Sequence, residues 1–286
     1  MPRTITVGCG EWGFRHLPFA EHFPLAARLG FRCLEIGLGG GLPGRLPPRV
    51  DDALVAEVAR LRHEHDLSTP FCCIENDLTL PDPQAHAAMV DEVAAQMTQA
   101  ARLGCTHVRL FAGFTAYDAM TEAIWERLAA AFRALAVRAG ELGLTIAIET
   151  HGAIAWREGV AHHTHTVTTH RAGLARLLAE LPPQIGFNYD PGNIKAADPG
   201  DRRLALDLLD RRIVYCHLKD WMPRGSGFIP GAPGDGDLDY ATLIPAMSYD
   251  GVYLVEYEPT ADVEDGIRRS LAYLGGIVST RFSGNA

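Results

Sequence analysis

"LTIAIETHG", residues 144–152, decides how the rest of the chain is read. Five of its first six residues are apolar or β-branched, which suits a strand buried on both faces, as in a parallel sheet covered by helices. Glu149 then closes the run, and His151 follows two residues later. A carboxylate removed from water is costly unless it is paired or metal-bound, so an ionisable group at the edge of its own core marks a candidate site. The preceding segment, "AIWERLAAAFRALAVRAGELG" (123–143), has the 3.6-residue period of an amphipathic helix and ends on Gly143. The segment "AHAAMVDEVAAQMTQAARLG" (85–104) follows the same plan and ends on Gly104.

Working outward, eight short apolar runs read as strands: 4–9, 32–37, 70–75, 106–111, 144–149, 184–190, 212–217 and 251–258. Helical patterns lie between them, with no linker or charge block. Eight βα units in series predict an α/β protein, a single (β/α)8 TIM barrel occupying residues 1–286 as one domain. A doubly wound sheet is the runner-up; it wants a glycine fingerprint opening a helix after the first strand, and no helical pattern opens on "GCGEWGF" (8–14). "GLGGGLPGRLPP" (37–48) lacks the GK[ST] ending of a phosphate loop and reads as an irregular loop.

The chain has 286 residues, 47% of them hydrophobic and 21% charged, with a net charge of −9. That balance argues against a nucleic-acid partner, which calls for a basic face. No apolar run reaches the ~18–20 residues that span a bilayer, so no membrane partner is expected. The N-terminus runs straight into a strand without a secretory pattern, and the six cysteines show no CxxC spacing. They read as buried reduced thiols, and the expected location is cytoplasmic.

In a (β/α)8 barrel the active site lies at the C-terminal ends of the strands. Strand 5 ends in Glu149, strand 6 in Asp190, strand 7 in His217, and strand 8 contains Glu256 and Glu258. Any one of these could be a structural ion pair or cap. Together they would crowd three carboxylates into a small volume, which a divalent cation resolves. Three oxygens and one nitrogen suit Mn²⁺, Co²⁺ or Mg²⁺ better than a structural zinc site.

The runs "IAIETHG", "GFNYDPGN", "VYCHLKD", "GDGDLDY" and "VYLVEYEP", in that order, resemble the xylose-isomerase-like TIM-barrel family of sugar isomerases and epimerases. That family includes ketose 3-epimerases, inosose-dehydratase-type lyases and, more distantly, the endonuclease IV group. "ENDLTLPDP" and "AARLGCTHVRLFAG" extend the resemblance over nearly the whole chain. It implies one divalent metal ion, Mn²⁺ first with Co²⁺, Mg²⁺ or Zn²⁺ as alternatives, held by Glu149, Asp190, His217 and Glu256. It also implies that Glu149 and Glu256 exchange protons with the substrate. Glu256 is preferred to Glu258 because it matches the family's strand-8 ending, although both point to the same face. Where epimerases of the family have a histidine three residues after the strand-6 aspartate, this chain has Asn193. Homo-oligomerisation is common in the family.

The expected activity is a metal-dependent sugar isomerase or epimerase acting through a metal-bound enediolate on a monosaccharide or keto sugar, with carbohydrate metabolism as its setting. An inosose-dehydratase-like lyase on the same metal site is the alternative, followed by an abasic-site endonuclease or a non-catalytic sugar-binding barrel. His151, Asn193, Lys219, Glu35 and Trp12 are candidates for substrate contact, and Asp220 for orienting a ligand from behind. Solvated or ion-paired structural roles compete for each. The His-rich tract "AHHTHTVTTH" (161–170) reads as a solvated loop leading into a capped helix. Asp239 reads as a helix cap, and Arg109 as an ion-paired core residue.

Overall fold

The computed structural model describes residues 3–282; of the expected domain 1–286, residues 1–2 and 283–286 lie outside the described residues. All eight expected strands form. They are β1 (Thr4–Cys9), β2 (Ile36–Leu38), β3 (Phe71–Ile74), β4 (His107–Phe111), β5 (Thr145–Glu149), β6 (Gly186–Tyr189), β7 (Ile213–Leu218) and β8 (Val252–Val255). Every neighbouring pair from β2 round to β1 is parallel. The ring closes where the Cys9 amide donates to Cys33 O at 2.9 Å and the Glu35 amide donates to Cys9 O at 2.9 Å. The fold is therefore the closed barrel that the alternation of runs predicts.

Two side-chain sets hold it together, because alternate residues of a strand face opposite ways. Outward residues such as Ile146, Ile148, Val108 and Leu110 join the helices' apolar stripes, including Leu128, Phe132 and Leu135, in one large cluster. Inward residues Cys33, Phe71, Ala147, Tyr215 and Leu254 form a small separate cluster that plugs the barrel. All six cysteines are buried and free, as the sequence indicates. Among the described residues no helix is long and apolar enough to cross a membrane.

One element departs from the reading of the sequence. A four-stranded antiparallel sheet, built from Ala153–Arg157, Val160–Thr164, Asp220–Arg224 and Gly227–Gly231, follows the ends of β5 and β7. The tract 161–170 is thus not a solvated loop: residues 161–164 lie in a strand. The His163 ring packs edge-on to Trp221, with centroids 4.6 Å apart, and burial lowers its pKa to about 3. Its polar composition hides the pattern, because the buried face alternates Ala161 with a neutral imidazole instead of aliphatic residues. The helix after it starts at Arg171, with His170 in the cap position and no side-chain capping bond. Asp239 does cap its helix, accepting from the Thr242 amide at 3.1 Å.

Two glycines of the helix Glu122–Leu142 and its end test this local reading. Gly140 lies within the helix with open space around it, whereas Gly143 ends the helix at φ +66°. Gly140→Ala is expected to stabilise the fold by about 0.5–1 kcal/mol and Gly143→Ala to destabilise it by about 1 kcal/mol. Denaturant midpoints of the two variants check the opposite signs.

Candidate metal centre and active-site cavity

Moving two residues towards the C-terminal end of each strand from the apolar plug gives Glu35, Cys73, Glu149, His217 and Glu256. The inward period converts hydrophobic positions into a charged layer. In that layer Glu149, Asp190, His217 and Glu256 offer ligand atoms that all lie within 4.8 Å of one another, and all four residues are buried. Asp190 arrives by a different route: it caps the helix Pro191–Ala197, accepting from the Asn193 amide at 2.9 Å, with Pro191 in the first turn.

His217 is oriented from below. Its Nε2 lies 2.8 Å from Glu35 Oε1, and Glu35 also accepts from the Tyr215 hydroxyl and from the Glu11 amide at 2.9 Å. Nδ1 lies 3.1 Å from Asn188 Nδ2, 3.6 Å from Glu149 Oε1 and 3.4 Å from Glu256 Oε2. Burial disfavours the charged ring, but Glu256 and Glu35 raise its pKa well above the ordinary value, and a bound cation would take the place of the Nδ1 proton. Three carboxylates and one ring nitrogen with a fixed tautomer fit a divalent cation. Glu35, a candidate for substrate contact, lies under the imidazole and not on the cavity wall. Asn193 is equally enclosed. It donates to Asp190 Oδ2 at 3.0 Å and to Glu149 Oε1 at 3.3 Å, and accepts from Trp221 Nε1 at 3.2 Å.

A further step of two residues reaches Glu75, His151, Lys219 and Glu258. These four line a cavity of about 220 Å³ above the charged layer, together with Trp12, Arg109, Phe111, Phe114, Ile154, Trp156, Glu149 and Glu256. Trp12, His151 and Lys219 thus stand on its wall as their sequence positions suggest. Trp12 donates from Nε1 to Glu258 at 3.0 Å. His151 Nδ1 is 2.6 Å from Gly152 O, and the ring packs edge-on to Phe111. Lys219 Nζ lies 2.6 Å from Glu256, 3.0 Å from Glu258 and 3.7 Å from Asp190. The pair Glu256 and Glu258 is thereby separated: Glu256 meets His217, and Glu258 stands one layer higher. Asp220 accepts from the amides of Trp221, Gly234 and Gly236, so it shapes the following loop; burial raises its carboxyl to about 6.

Burial raises every carboxyl in the charged layer, and the neighbours decide the outcome. For Asp190 burial wins over Lys219 and lifts it to about 7. For Glu149 burial is outweighed by Arg109, with Nε 3.0 Å away, and the pKa falls. For Glu256, His217 and Lys219 together override burial and hold it well below the ordinary range. For Glu35, His217 overrides burial and holds the carboxyl at about 2.

Sequence reasoning left Arg109 in the core and passed over Glu75. Arg109 is ion-paired as expected, yet it also lines the cavity. The signal was available: Glu75 continues the period Phe71, Cys73, Glu75, and Arg109 sits between His107 and Phe111 on the same face of β4. Arg45, from the glycine-rich segment 37–48, was also missed. That loop is irregular as expected, but Arg45 turns inward to Glu75 and Glu11.

A larger groove of about 790 Å³ lies outside the barrel, among the helices of residues 195–246, away from this chemistry.

The fold is shared with solved proteins. A xylose isomerase domain protein from Planctomyces limnophilus superposes with a TM-score of 0.73 at 16% identity, covering 97% of this chain and 98% of that one. D-allulose 3-epimerase from Methylomonas sp. gives 0.72 at 18% identity, covering 97% and 99%. The probable 3-DHS dehydratase AsbF from Bacillus anthracis gives 0.69 at 16% identity, covering 96% and 99%. At such identities these likenesses speak for the fold alone. No curated protein matches the sequence. The model of one family, described as xylose isomerase-like TIM barrel, matches residues 23–275. The chain belongs to the xylose isomerase-like TIM-barrel family.

Proposed function

We propose that this protein is a divalent-metal-dependent sugar isomerase or epimerase acting on a monosaccharide or keto sugar. The observation that carries the reading is the cluster of Glu149, Asp190, His217 and Glu256, with ligand atoms within 4.8 Å of one another, two of which, Glu149 and Glu256, also line the cavity. These four residues are the proposed ligands, and Mn²⁺ is the ion that the oxygen-rich set favours. When bound, the ion would supply Lewis-acid polarisation of a substrate carbonyl and charge to offset the carboxylates.

The chain's own residues account for the rest. Glu35 fixes the His217 tautomer, and Asn193 spans Glu149 and Asp190. Arg109 holds Glu149 and Lys219 holds Glu256, each with its charge in place at the cavity. One of these two carboxylates takes the proton from the carbon beside the carbonyl. The other returns a proton, to the same carbon for epimerisation or to the neighbouring carbon for isomerisation. Ile154 and Trp156, from the accessory sheet, add apolar surface to the cavity wall.

A dehydratase on the same site is the second reading, and Lys219 favours it. Its ammonium stands in the cavity between Glu256 and Glu258, able to donate a proton to a departing hydroxyl.

The test is incubation of Mn²⁺-loaded protein with neutral ketoses in D2O. Deuterium in recovered or isomerised sugar is the expected result. Loss of one water from the product would establish the dehydratase instead. Neither exchange nor dehydration, with metal bound, would overturn the assignment.

Glu35→Gln tests the support beneath His217. It is expected to weaken divalent-metal binding by about 10–100-fold with the fold retained. Calorimetric titration with Mn²⁺ reads the affinity, and an unchanged value would contradict the role.

A further inference from the structure

The cavity wall contains one buried cation with incomplete hydrogen bonding. Arg109 is 2% exposed, and neither its Nε nor its Nη1 makes a hydrogen bond among the described residues. Its Nε is ion-paired to Glu149 at 3.0 Å, and its guanidinium lies 4.1 Å over the Phe111 ring, which fixes the plane of the fork. Arg109 lines the cavity, so this buried guanidinium brings unused donor capacity to the wall, where an unmade hydrogen bond is costly.

Beside it stands Glu75, whose Oε1 lies 4.0 Å from Arg109 Nη2. The protein's own hydrogen bond to this carboxylate comes from Arg45 and also ends at Oε1. The Glu75 side chain remains 31% exposed and lines the cavity, so it still has acceptor capacity. Arg45 is fixed in turn: it donates to Cys73 O at 2.9 Å and pairs with Glu11 at 3.2 Å. Donor and acceptor are therefore adjacent and preorganised.

We infer that Arg109 and Glu75 form a recognition pair for substrate hydroxyls remote from the reacting carbons, and that this pair makes the site select uncharged polyhydroxylated carbonyl compounds over phosphorylated or carboxylated ones. The inference rests on the sugar reading above and adds the residues and the charge preference to it. A hydroxyl both donates and accepts, which matches an Arg–Glu pair. Phosphate and carboxylate oxygens only accept, and would face the Glu75 charge.

The charge of the cavity points the same way. Glu75, Glu149, Glu256 and Glu258 line it against two cations, Arg109 and Lys219, and Asp190 lies behind. These cations are already paired, Arg109 with Glu149 and Lys219 with Glu256 and Glu258, and Arg45, behind the wall, is shared between Glu75 and Glu11. A bound divalent ion would offset the excess without leaving positive charge over for an anionic substrate.

The experiment is calorimetric binding to the Mn²⁺-loaded protein. The probes are D-fructose, D-allulose, D-tagatose and L-ribulose, set against D-fructose 6-phosphate and D-fructuronate. The wild type is expected to bind at least one neutral ketose about tenfold or more tightly than either anion. In Glu75→Gln that ratio is expected to fall by about tenfold, the scale of one close charge interaction in a partly buried site. Arg109→Lys, which keeps the charge and loses the fork, is expected to weaken neutral-ketose binding by about tenfold, compared at equal metal loading because Arg109 also holds Glu149. A wild-type preference for the anions, or the same ratio in Glu75→Gln, would overturn the inference and leave the sugar reading standing. A metal-loaded wild type that binds none of the neutral sugars would overturn both.

Discussion

The two-residue period of the inward-facing barrel strands is the constraint on which the rest of the molecule depends. Cys33, Phe71, Ala147, Tyr215 and Leu254 plug the barrel with apolar contacts. Two residues on, the same register delivers Glu35, Cys73, Glu149, His217 and Glu256, and two further on it delivers cavity residues Glu75, His151, Lys219 and Glu258. A one-residue slip in any strand would turn its charged residue into the apolar layer between strands and helices. The parallel ladder that fixes the register therefore fixes the chemistry as well.

Three of the buried charges in this layer have a close partner, and the fourth carboxylate, Asp190, is lifted by burial to about 7. Glu35 balances His217, Arg109 balances Glu149, and Lys219 balances Glu256. Breaking one such buried pair leaves an uncompensated charge, which costs about 3–5 kcal/mol. The accessory sheet adds a second kind of support. Trp221 donates to Asn193, which spans Asp190 and Glu149, so the cover of the cavity and its floor are joined by hydrogen bonds.

How much of this was legible in the sequence follows from the same periodicity. The apolar runs give the eight strands and hence the barrel, and the residues closing the runs 144–149, 184–190 and 212–217 are three of the four clustered groups. Glu256 and Glu258 share parity, so periodicity does not separate them; the family resemblance favours Glu256, and Glu256 is the one that lies beside His217, at 3.4 Å. Arg109 and Glu75 were passed over for a different reason. The period of their strands places each on the inward face, yet each reads as an ordinary charge near a strand end, and the closed ring brings both to one cavity. The accessory sheet was missed because its strands, such as "VAHHT" (160–164), bury alanine and histidine against Trp221 in place of the aliphatic alternation that marks a strand.

The central claim is that the charged layer is a metal site with Glu256, and not Glu258, among its ligands. Elemental analysis after chelation and reloading with Mn²⁺ tests it most directly, on the wild type and on Glu149→Ala, Glu256→Ala and Glu258→Ala. The expected result is about one ion per chain in the wild type and in Glu258→Ala, and loss in the other two variants. A folded wild type that takes up no ion, or loss in Glu258→Ala with retention in Glu256→Ala, would contradict it.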